Sequence, residues 1–323
     1  FSILNKATEA SWSTDFLSSN IRYVFDNEHW NIAVTDFYFG EKLNPDWPRS
    51  TDLIVSDDDD YFYLSAEFLR YIDVQAMANV FLGEDMLADF SRLKDYRIQS
   101  DIYNLNLRLP KDMSEQALMD TLYLDMDIID FSVNDAANKV QLSGLDSSIH
   151  YGEEQLVFDV LSENTDIYLW ELFRIPLSAS LIKGELTIGR NDAQWHVMSD
   201  HFQLKNNHID TFSRLDIKFS SLDDVFTDVQ TNFYNADASN TKHYLPVSIM
   251  SPGLVSWQNM AVTEGYVPDG EFILHGEIKD FPFDNGEGIF QVLFSPEKVN
   301  MRFLQDWPML KDASAKVTFN NRS

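Results

Sequence analysis

Hydrophobic and polar residues alternate along most of this chain. The alternation is clearest in four early runs, each of which places an apolar side chain at every second position. These runs are Ile21, Tyr23, Phe25; Trp30, Ile32, Val34; Tyr103, Leu105, Leu107, Leu109; and Leu122, Leu124, Met126, Ile128. A period of two is that of a β-strand with one buried face. The pattern therefore predicts a mainly-β protein.

Shorter runs with the same period continue to the end of the chain. They predict further strands at residues 156–160, 167–172, 184–189, 195–204, 215–219, 225–233, 272–278, 289–294, 299–303 and 315–319. Turn residues such as Asn206-Asn207 and Asp284-Asn285-Gly286 separate the strands. The segment between residues 294 and 299 is too short for a crossover helix, so we expect the strands on either side of it to pair antiparallel. The simplest topology is a meander in one long antiparallel sheet.

Three segments depart from the alternation and predict short helices. Residues 72–93 place apolar side chains at helical spacing, with an interruption near Gly83, and residues 114–118 predict a short turn. Residues 247–261 predict a helix or a pair of turns around Pro252-Gly253. None of these segments is long enough to organise an α/β fold.

Charge and cysteine content exclude several classes of partner and site. The chain carries 52 Asp and Glu against 24 Lys and Arg, a formal net charge of −28. Such a surface repels phosphate backbones, so nucleic acid is excluded as a partner. With no Cys there are no disulfides, thiolate zinc sites or Cys nucleophiles. The chain starts at Phe1 and stops at Ser323 just after a strand-like run, so we expect a fragment of a larger extracytoplasmic protein.

Motifs that carry chemistry are missing from the sequence. There is no nucleophile elbow, zinc-protease helix, Walker loop or dinucleotide-binding loop. His196, His201 and His208 lie close together in sequence without metal-ligand spacing, and we expect surface histidines. The run from Asp57 to Asp60 lacks a calcium-loop pattern and predicts a solvated loop. We therefore predict no catalytic residue, no metal and no cofactor, and expect that the chain is not an enzyme; a carbohydrate-binding or hydrolytic β-protein has no supporting motif.

The stretch from Tyr244 to Phe319 carries a recognisable pattern. Its elements are Tyr244-Leu245-Pro246, Trp257, Gly270, Leu274-His275-Gly276, Asp280-Phe281-Pro282-Phe283, Gly288-Ile289-Phe290 and Trp307-Pro308. Upstream, Val140 to Leu145 and Lys183-Gly184-Glu185-Leu186 fit the same pattern. The chain resembles the AsmA-like family, and within it the large YhdP-type members. The first seventy residues match poorly, so we divide the chain into an N-terminal β segment, 1–70, and a family-like region, 71–323, which we expect to be continuous with it.

The resemblance implies a fold and a function. The implied fold is a long antiparallel β-sheet curved into a groove or half-barrel, with one or two short helices. The implied protein is periplasmic and is tethered to the inner membrane of Gram-negative bacteria by an N-terminal anchor that is missing here. It implies that phospholipid acyl chains are carried along the groove toward the outer membrane. Other partners in the envelope are not identified by the resemblance.

An apolar floor of such a groove can be assigned to the last strands. The predicted lipid-binding residues are Phe272, Leu274, Ile278, Phe290, Val292, Phe294, Val299, Met301 and Phe303. The alternative is a closed β structural or assembly protein of the cell envelope, without lipid, in which these residues form an ordinary core. Alternation alone does not separate a groove from a core. The Asp-Phe-Pro-Phe element and Trp307-Pro308 are interpreted as structural, the indole of Trp307 capping one end of the sheet.

Overall fold

The fold was analysed in a computed structural model. It describes residues 2–4, 11–13, 17–26, 28–39, 48, 50–72, 74–75, 96–135, 137, 139–169, 173–191, 194–221, 224–244, 252–304 and 306–321. Nearly all of its regular structure is β-strand, so the predicted mainly-β, antiparallel fold class with a few short helices is confirmed.

The strands are numbered in chain order. The first nine are β1 (Ser2–Leu4), β2 (Ser11–Ser13), β3 (Leu17–Asp26), β4 (His29–Phe39), β5 (Thr51–Asp57), β6 (Tyr61–Arg70), β7 (Tyr96–Pro110), β8 (Tyr123–Asp135) and β9 (Val140–Gly152). The next seven are β10 (Gln155–Ser162), β11 (Thr165–Leu169), β12 (Leu177–Ala179), β13 (Leu181–Asn191), β14 (Gln194–Lys205), β15 (Asp210–Ser221) and β16 (Asp224–Asp237). The last five are β17 (Val262–Glu277), β18 (Ile289–Phe294), β19 (Glu297–Met301), β20 (Leu310–Ala313) and β21 (Val317–Asn320).

Two α-helices and two 3-10 helices have both ends within the described residues. They are α1 (Glu115–Thr121), α2 (Pro252–Ala261) and the 3-10 helices Ala238–His243 and Ile278–Asp280. The turn predicted at 114–118 is the start of α1, where the side chain of Ser114 accepts the Ala117 N–H at 3.3 Å. The helix predicted within 247–261 is α2. Of the helix predicted at 72–93, residues 72, 74 and 75 are helical, and most of the rest lies outside the described residues.

The chain divides into two compact units. The first comprises residues 1–138 and 142–158, and the second residues 139–141 and 159–323. The boundary at residue 70, which rests on family similarity, falls inside the first unit and stays a prediction about that similarity.

In the first unit, strands β3 to β8 form consecutive antiparallel pairs. The registers align one apolar row across all six strands: Tyr23, Ile32, Val55, Leu64, Leu107 and Leu124. Next to this row lies a buried cluster of Ala66, Leu69, Ile102 and Leu105. Tyr71 and Val74 pack against the cluster. The period-two pattern thus collects apolar side chains on one face of this sheet, where they are half-buried from β4 to β8.

In the second unit, β13 to β17 form consecutive antiparallel pairs. Strand β17 is longer than the predicted 272–278, and β18 and β19 both pair with it, at Gly270 to His275 and at Val262 to Tyr266. The expectation that these two strands pair with each other was wrong, because the Ser295-Pro296 link continues one strand line rather than reversing it. The reversal comes later, where β20 pairs with β19 and β21 with β18. The predicted antiparallel reversal therefore occurs between β19 and β20 instead of between β18 and β19. Strand β20 was not predicted.

Left-handed residues interrupt several strands. Asp36 (φ 53°) in β4 and Asp130 (φ 52°) in β8 lie at register shifts of their ladders. The backbone N–H of Asp36 is bound by Asp52 Oδ1 at 3.0 Å, and that of Asp130 by Asp146 Oδ1 at 2.8 Å. Such β-bulges bend a strand and increase its twist. An Asp or Asn that breaks the alternation inside a strand was the sequence signal for these bends, because these residues tolerate positive φ.

Candidate functional site

Four neighbouring rows on one face of the sheet formed by β13 to β18 and β21 carry no charged residue, and the row beyond them on β13 ends at Arg190. Directly opposite residues of an antiparallel ladder project to the same side of a sheet, so the registers define rows that cross the strands. The rows are Phe290, Leu274, Val229, Leu215, Ser199; Phe319, Val292, Phe272, Thr231, Ser213, Phe202; Val317, Phe294, Gly270, Phe233, Thr211, Leu204, Ile182; and Gly276, Thr227, Ile217, Val197, Ile188. These four rows are called the apolar face.

The hydroxyl groups on the apolar face are satisfied within the sheet. Ser213 and Thr231 hydrogen-bond to each other across the strands at 2.8 Å. Thr227 donates to the carbonyl of Gly276 at 3.2 Å, Ser199 to that of Glu185 at 2.5 Å, and Thr211 to that of Leu204 at 2.9 Å. Because these groups are bonded to the sheet itself, the face behaves as an apolar surface.

The apolar face is only partly covered. Phe272, Leu274, Phe290, Val292 and Phe294 are all half-buried. The most buried side chains of this face in the described structure are Ile182, Ser199 and Thr227, which are 3%, 5% and 6% exposed, whereas Phe319 at its margin is 47% exposed. Large apolar side chains in a closed core are usually fully buried. Within the described residues, Ile182 is the only large apolar side chain of this face that is so buried, and the others stay partly accessible.

The opposite face of the same strands is polar and ion-paired. Arg214 Nη2 lies 2.7 Å from Asp228 Oδ2, and His196 Nε2 lies 2.9 Å from Asp216 Oδ1. Burial raises the pKa of Asp216, but the hydrogen bond from His196 and the charges of Lys218 and His196 outweigh it, so the net pKa is lowered. The lowered pKa favours the ionised form of Asp216 on this polar face.

Five of the nine predicted floor residues come together on the apolar face: Phe272, Leu274, Phe290, Val292 and Phe294. The other four lie elsewhere. Ile278 belongs to a 3-10 helix beyond β17 and is 42% exposed. Val299 is buried beside Gly265, and Met301 pairs with Val262 and Leu310. Phe303 follows β19 and is 52% exposed.

Sequence reasoning missed the larger part of the face, which comes from β13 to β16. Val229 is opposite Leu274, Leu215 is opposite Val229, and Phe233 is opposite Gly270. Their strands were predicted, but the period of two does not reveal the register between strands. It therefore does not show which residues of neighbouring strands lie on the same face of the sheet. The register supplies that link.

The Asp-Phe-Pro-Phe element anchors one end of the apolar face. Phe283 is 1% exposed and packs so closely on Gly276 and Gly288 that a Cβ on Gly288 would lie 2.6 Å from its ring. Phe281 contacts both Phe283 and Phe290, with ring centroids 5.8 Å and 5.5 Å apart. The element therefore connects the end of β17 to the floor residue Phe290, which agrees with its structural interpretation.

Trp307 lies in the link between β19 and β20, at one end of the sheet. Its indole contacts Phe303 with ring centroids 6.2 Å apart and is 59% exposed. Trp257 of α2 also contacts Phe303 and donates its Nε1–H to the Phe303 carbonyl at 2.8 Å. Phe303 therefore contacts both indoles, and the capping role of Trp307 stays a prediction.

The first unit has an apolar face of its own on β3 to β8. At β3 this face is exposed: Ile21, Tyr23 and Phe25 are 70%, 60% and 59% exposed. The two units therefore share a design in which one side of an antiparallel sheet is apolar.

The three predicted surface histidines do not converge. His196 pairs with Asp216, His201 is exposed, and His208 contacts Tyr244. Among the described residues, no group of three or more His, Cys, Asp or Glu is arranged to hold a metal ion. No helix in the described part of the chain is long and apolar enough to cross a membrane.

The acidic loop at residues 57–60 is occupied by hydrogen bonds. Asp57 accepts from Lys111 Nζ and from the Trp30 N–H, each at 2.8 Å. Asp58 accepts from the Tyr63 hydroxyl at 2.6 Å and from the amides of Asp60 and Tyr61. These bonds lower the pKa of both carboxyls, led by Lys111 for Asp57 and by Tyr63 for Asp58. The loop is a hydrogen-bonded turn.

Comparisons with known proteins agree with this architecture. The profile of a family described as "YhdP protein" matches residues 6–323. The chain is also similar to a protein of Escherichia coli (strain K12) named "Intermembrane phospholipid transporter YhdP", with 24% identity over 157 residues. That similarity covers 46% of this chain and 12% of the relative. Neither name denotes an enzyme, in agreement with the sequence-based expectation. No solved structure matches the chain.

Proposed function

The chain belongs to the YhdP protein family, and from this premise we propose that its apolar face binds phospholipid acyl chains during phospholipid transport between the inner and outer membranes. The similarity to a relative named as an intermembrane phospholipid transporter supports phospholipid as the transported molecule. The chain covers 12% of that relative, so it would supply one stretch of a longer path.

The observation that carries the proposal is the two-sided chemistry of the second unit's sheet. On one side, the four rows of the apolar face present apolar groups and internally bonded hydroxyls, and most of their large side chains are half-buried. The other side carries ion pairs such as Arg214 with Asp228. A sheet with these two sides can shield hydrocarbon on one side and face water on the other.

The dimensions and energies fit an acyl chain. Seven strands contribute to the apolar face, which corresponds to roughly 29 Å across them at the usual strand spacing. An acyl chain occupies about 15 Å, half the hydrocarbon thickness of a bilayer. Each buried methylene contributes about 0.8 kcal/mol, so a whole chain contributes on the order of 10 kcal/mol. Burying a whole acyl chain therefore requires a continuous apolar surface such as this face rather than a single pocket.

The proposed location is the periplasm, with the full-length protein tethered to the inner membrane. The absence of Cys and the strongly acidic composition are compatible with that compartment. Phospholipid is the proposed partner, and other envelope proteins could join at the sheet edges.

The test is native mass spectrometry of the purified chain, with organic extraction, before and after incubation with phospholipid. The informative variant is Phe290→Asp, which places a charge on the apolar face. The matched control is Ile289→Asp, because Ile289 is adjacent in β18, projects to the opposite face and is 51% exposed. A second pair, Leu274→Asp with Ile273→Asp, repeats the comparison on β17.

Stoichiometric lipid that is lost in Phe290→Asp and Leu274→Asp, yet retained in the two controls, would establish the floor. Circular dichroism must show that all four variants remain folded. A wild-type chain that neither copurifies with phospholipid nor takes it up would refute the proposal. It would favour the alternative, a structural or assembly protein of the envelope without lipid.

A further inference from the structure

A second, separate site lies on the first unit, on the side of its sheet opposite Leu64 and Leu107. Its centre is Arg108 of β7, which faces Tyr63 of β6 and Tyr123 of β8 in the two ladders. The guanidinium carbon lies 5.0 Å from the ring centroid of Tyr61 and 5.8 Å from that of Tyr123. Two aromatic rings thus hold the cation in place, as is typical of arginine stacking.

The charge of Arg108 is not neutralised by the described residues. None of the ion pairs found among them includes Arg108, although acidic residues outnumber basic ones by 52 to 24. Its Nη2 donates to the Thr121 carbonyl at 3.2 Å, and its buried Nε has no hydrogen-bond partner in the described structure. The nearby carboxylates of Asp57 and Asp58 are bound by Lys111 and Tyr63. A buried donor without a partner is costly and indicates a missing acceptor.

A cavity opens next to this guanidinium. Its volume is about 470 Å³, and it is lined by Ile54, Ser56, Tyr63, Leu64, Ser65, Asn106, Leu107 and Tyr123 together with Arg108. Volumes of this size are typical of sites for small organic ligands. Hydroxyl and amide groups lie beside one fixed cation, and Ile54 and the aromatic rings supply apolar surface. This combination suits a small molecule with one anionic end.

We propose that this cavity binds a phosphate group, either as a small ester such as a lipid headgroup or as free phosphate. The planar guanidinium presents paired donors that match the oxygens of a phosphate. Ser56 and Ser65 line the same cavity and supply hydroxyl donors for the remaining oxygens. The registers place Tyr63, Ser65 and Arg108 on the side of the sheet opposite the apolar row, so this site is separate from the apolar face of the second unit.

The test is isothermal titration of the intact chain with inorganic phosphate, glycerol phosphate and phosphoethanolamine. Arg108→Met removes the cation, and Ser65→Asp places a carboxylate in the cavity without changing Arg108. The matched control is Arg214→Met, which removes a polar-face arginine that is already paired with Asp228. Thermal unfolding of each variant shows whether it is folded.

We expect binding to weaken roughly tenfold or more in Arg108→Met and in Ser65→Asp, since a charge-assisted bond is lost or blocked. Arg214→Met should bind like the wild type. Tighter binding of the esters than of inorganic phosphate would identify a headgroup as the ligand, and equal binding would identify free phosphate. Wild-type protein that binds none of the three at millimolar concentration would overturn the proposal. So would unchanged binding in a folded Arg108→Met or Ser65→Asp variant.

Discussion

Phe233 lies across Gly270 on the neighbouring strand, so closely that a Cβ on residue 270 would fall 2.2 Å from the end of the phenyl ring. The two residues are directly opposite in the ladder between β16 and β17. The carbonyl of Leu293, on the other side of β17, would lie 2.9 Å from the same Cβ. Glycine at 270 therefore allows an aromatic ring to lie flat in the middle of the apolar face.

Replacing Gly270 by Val should destabilise the protein, because the new side chain displaces Phe233 and meets the Leu293 carbonyl. Over-packing of this kind costs about 1–3 kcal/mol. Urea unfolding measures the loss. Gly253→Ala in α2 is the control, since nothing lies within 4 Å of a Cβ there, and it should leave the free energy of unfolding unchanged or raise it. Equal stability of Gly270→Val and wild type would show that the ring does not depend on glycine.

Phe283 should be the most important residue of the Asp-Phe-Pro-Phe element for stability. It is 1% exposed, whereas Phe281 is 43% exposed. Phe283→Ala should lower the free energy of unfolding by roughly 3–5 kcal/mol, the usual cost of emptying a buried aromatic site. Phe281→Ala should cost clearly less. Guanidinium denaturation of both variants checks the order, and a larger loss for Phe281→Ala would contradict the packing described above.

The bulge at Asp130 should tolerate glycine but not a β-branched residue. Its φ of 52° lies in the left-handed region, and its backbone N–H, which glycine retains, is bound by Asp146. Asp130→Gly should change stability little. Asp130→Val should cost roughly 1–2 kcal/mol, because a β-branched side chain is strained in that conformation. Thermal unfolding of the two variants gives the comparison; similar melting temperatures would argue against a left-handed residue here.

Stability should fall in acid partly through Asp216. Its folded-state pKa is lowered below the ordinary value of 3.8 by His196 and Lys218, which outweigh the effect of burial. A carboxyl with a depressed folded pKa contributes stability above its unfolded pKa, and this contribution is lost as pH falls through the folded pKa. Relative to wild type, Asp216→Asn should therefore be less stable at neutral pH and lose less stability below about pH 4. Unfolding curves measured from pH 7 to pH 2 test this; parallel pH profiles for the two proteins would exclude the contribution.

The strands and short helices followed from local patterns because they depend on neighbours in sequence. Trp30, Ile32 and Val34 predicted β4, and Ser114 marks the start of α1. The pairing of strands was predicted wrongly where it depended on whether a short link reverses the direction of the chain. Ser295-Pro296 looks like a turn, yet it continues the line of β18 into β19 along the same partner strand. The local sequence does not distinguish a turn that reverses the chain from a break within one strand, since both use the same types of residue.

The sequence by itself determined the fold class, the alternation of apolar and polar positions, and the family resemblance, because each is written in residues close together in the chain. Only the tertiary structure decided which face of each strand lies beside the apolar face of its neighbour. It places Ile278 and Phe303 outside the apolar face, and Val229, Leu215 and Phe233 within it. It also placed Arg108 between Tyr61 and Tyr123, three residues that no local motif connects. The physical reason is register: a shift of one residue moves every side chain to the other face, and bulges such as those at Asp36 and Asp130 set that shift through contacts between strands.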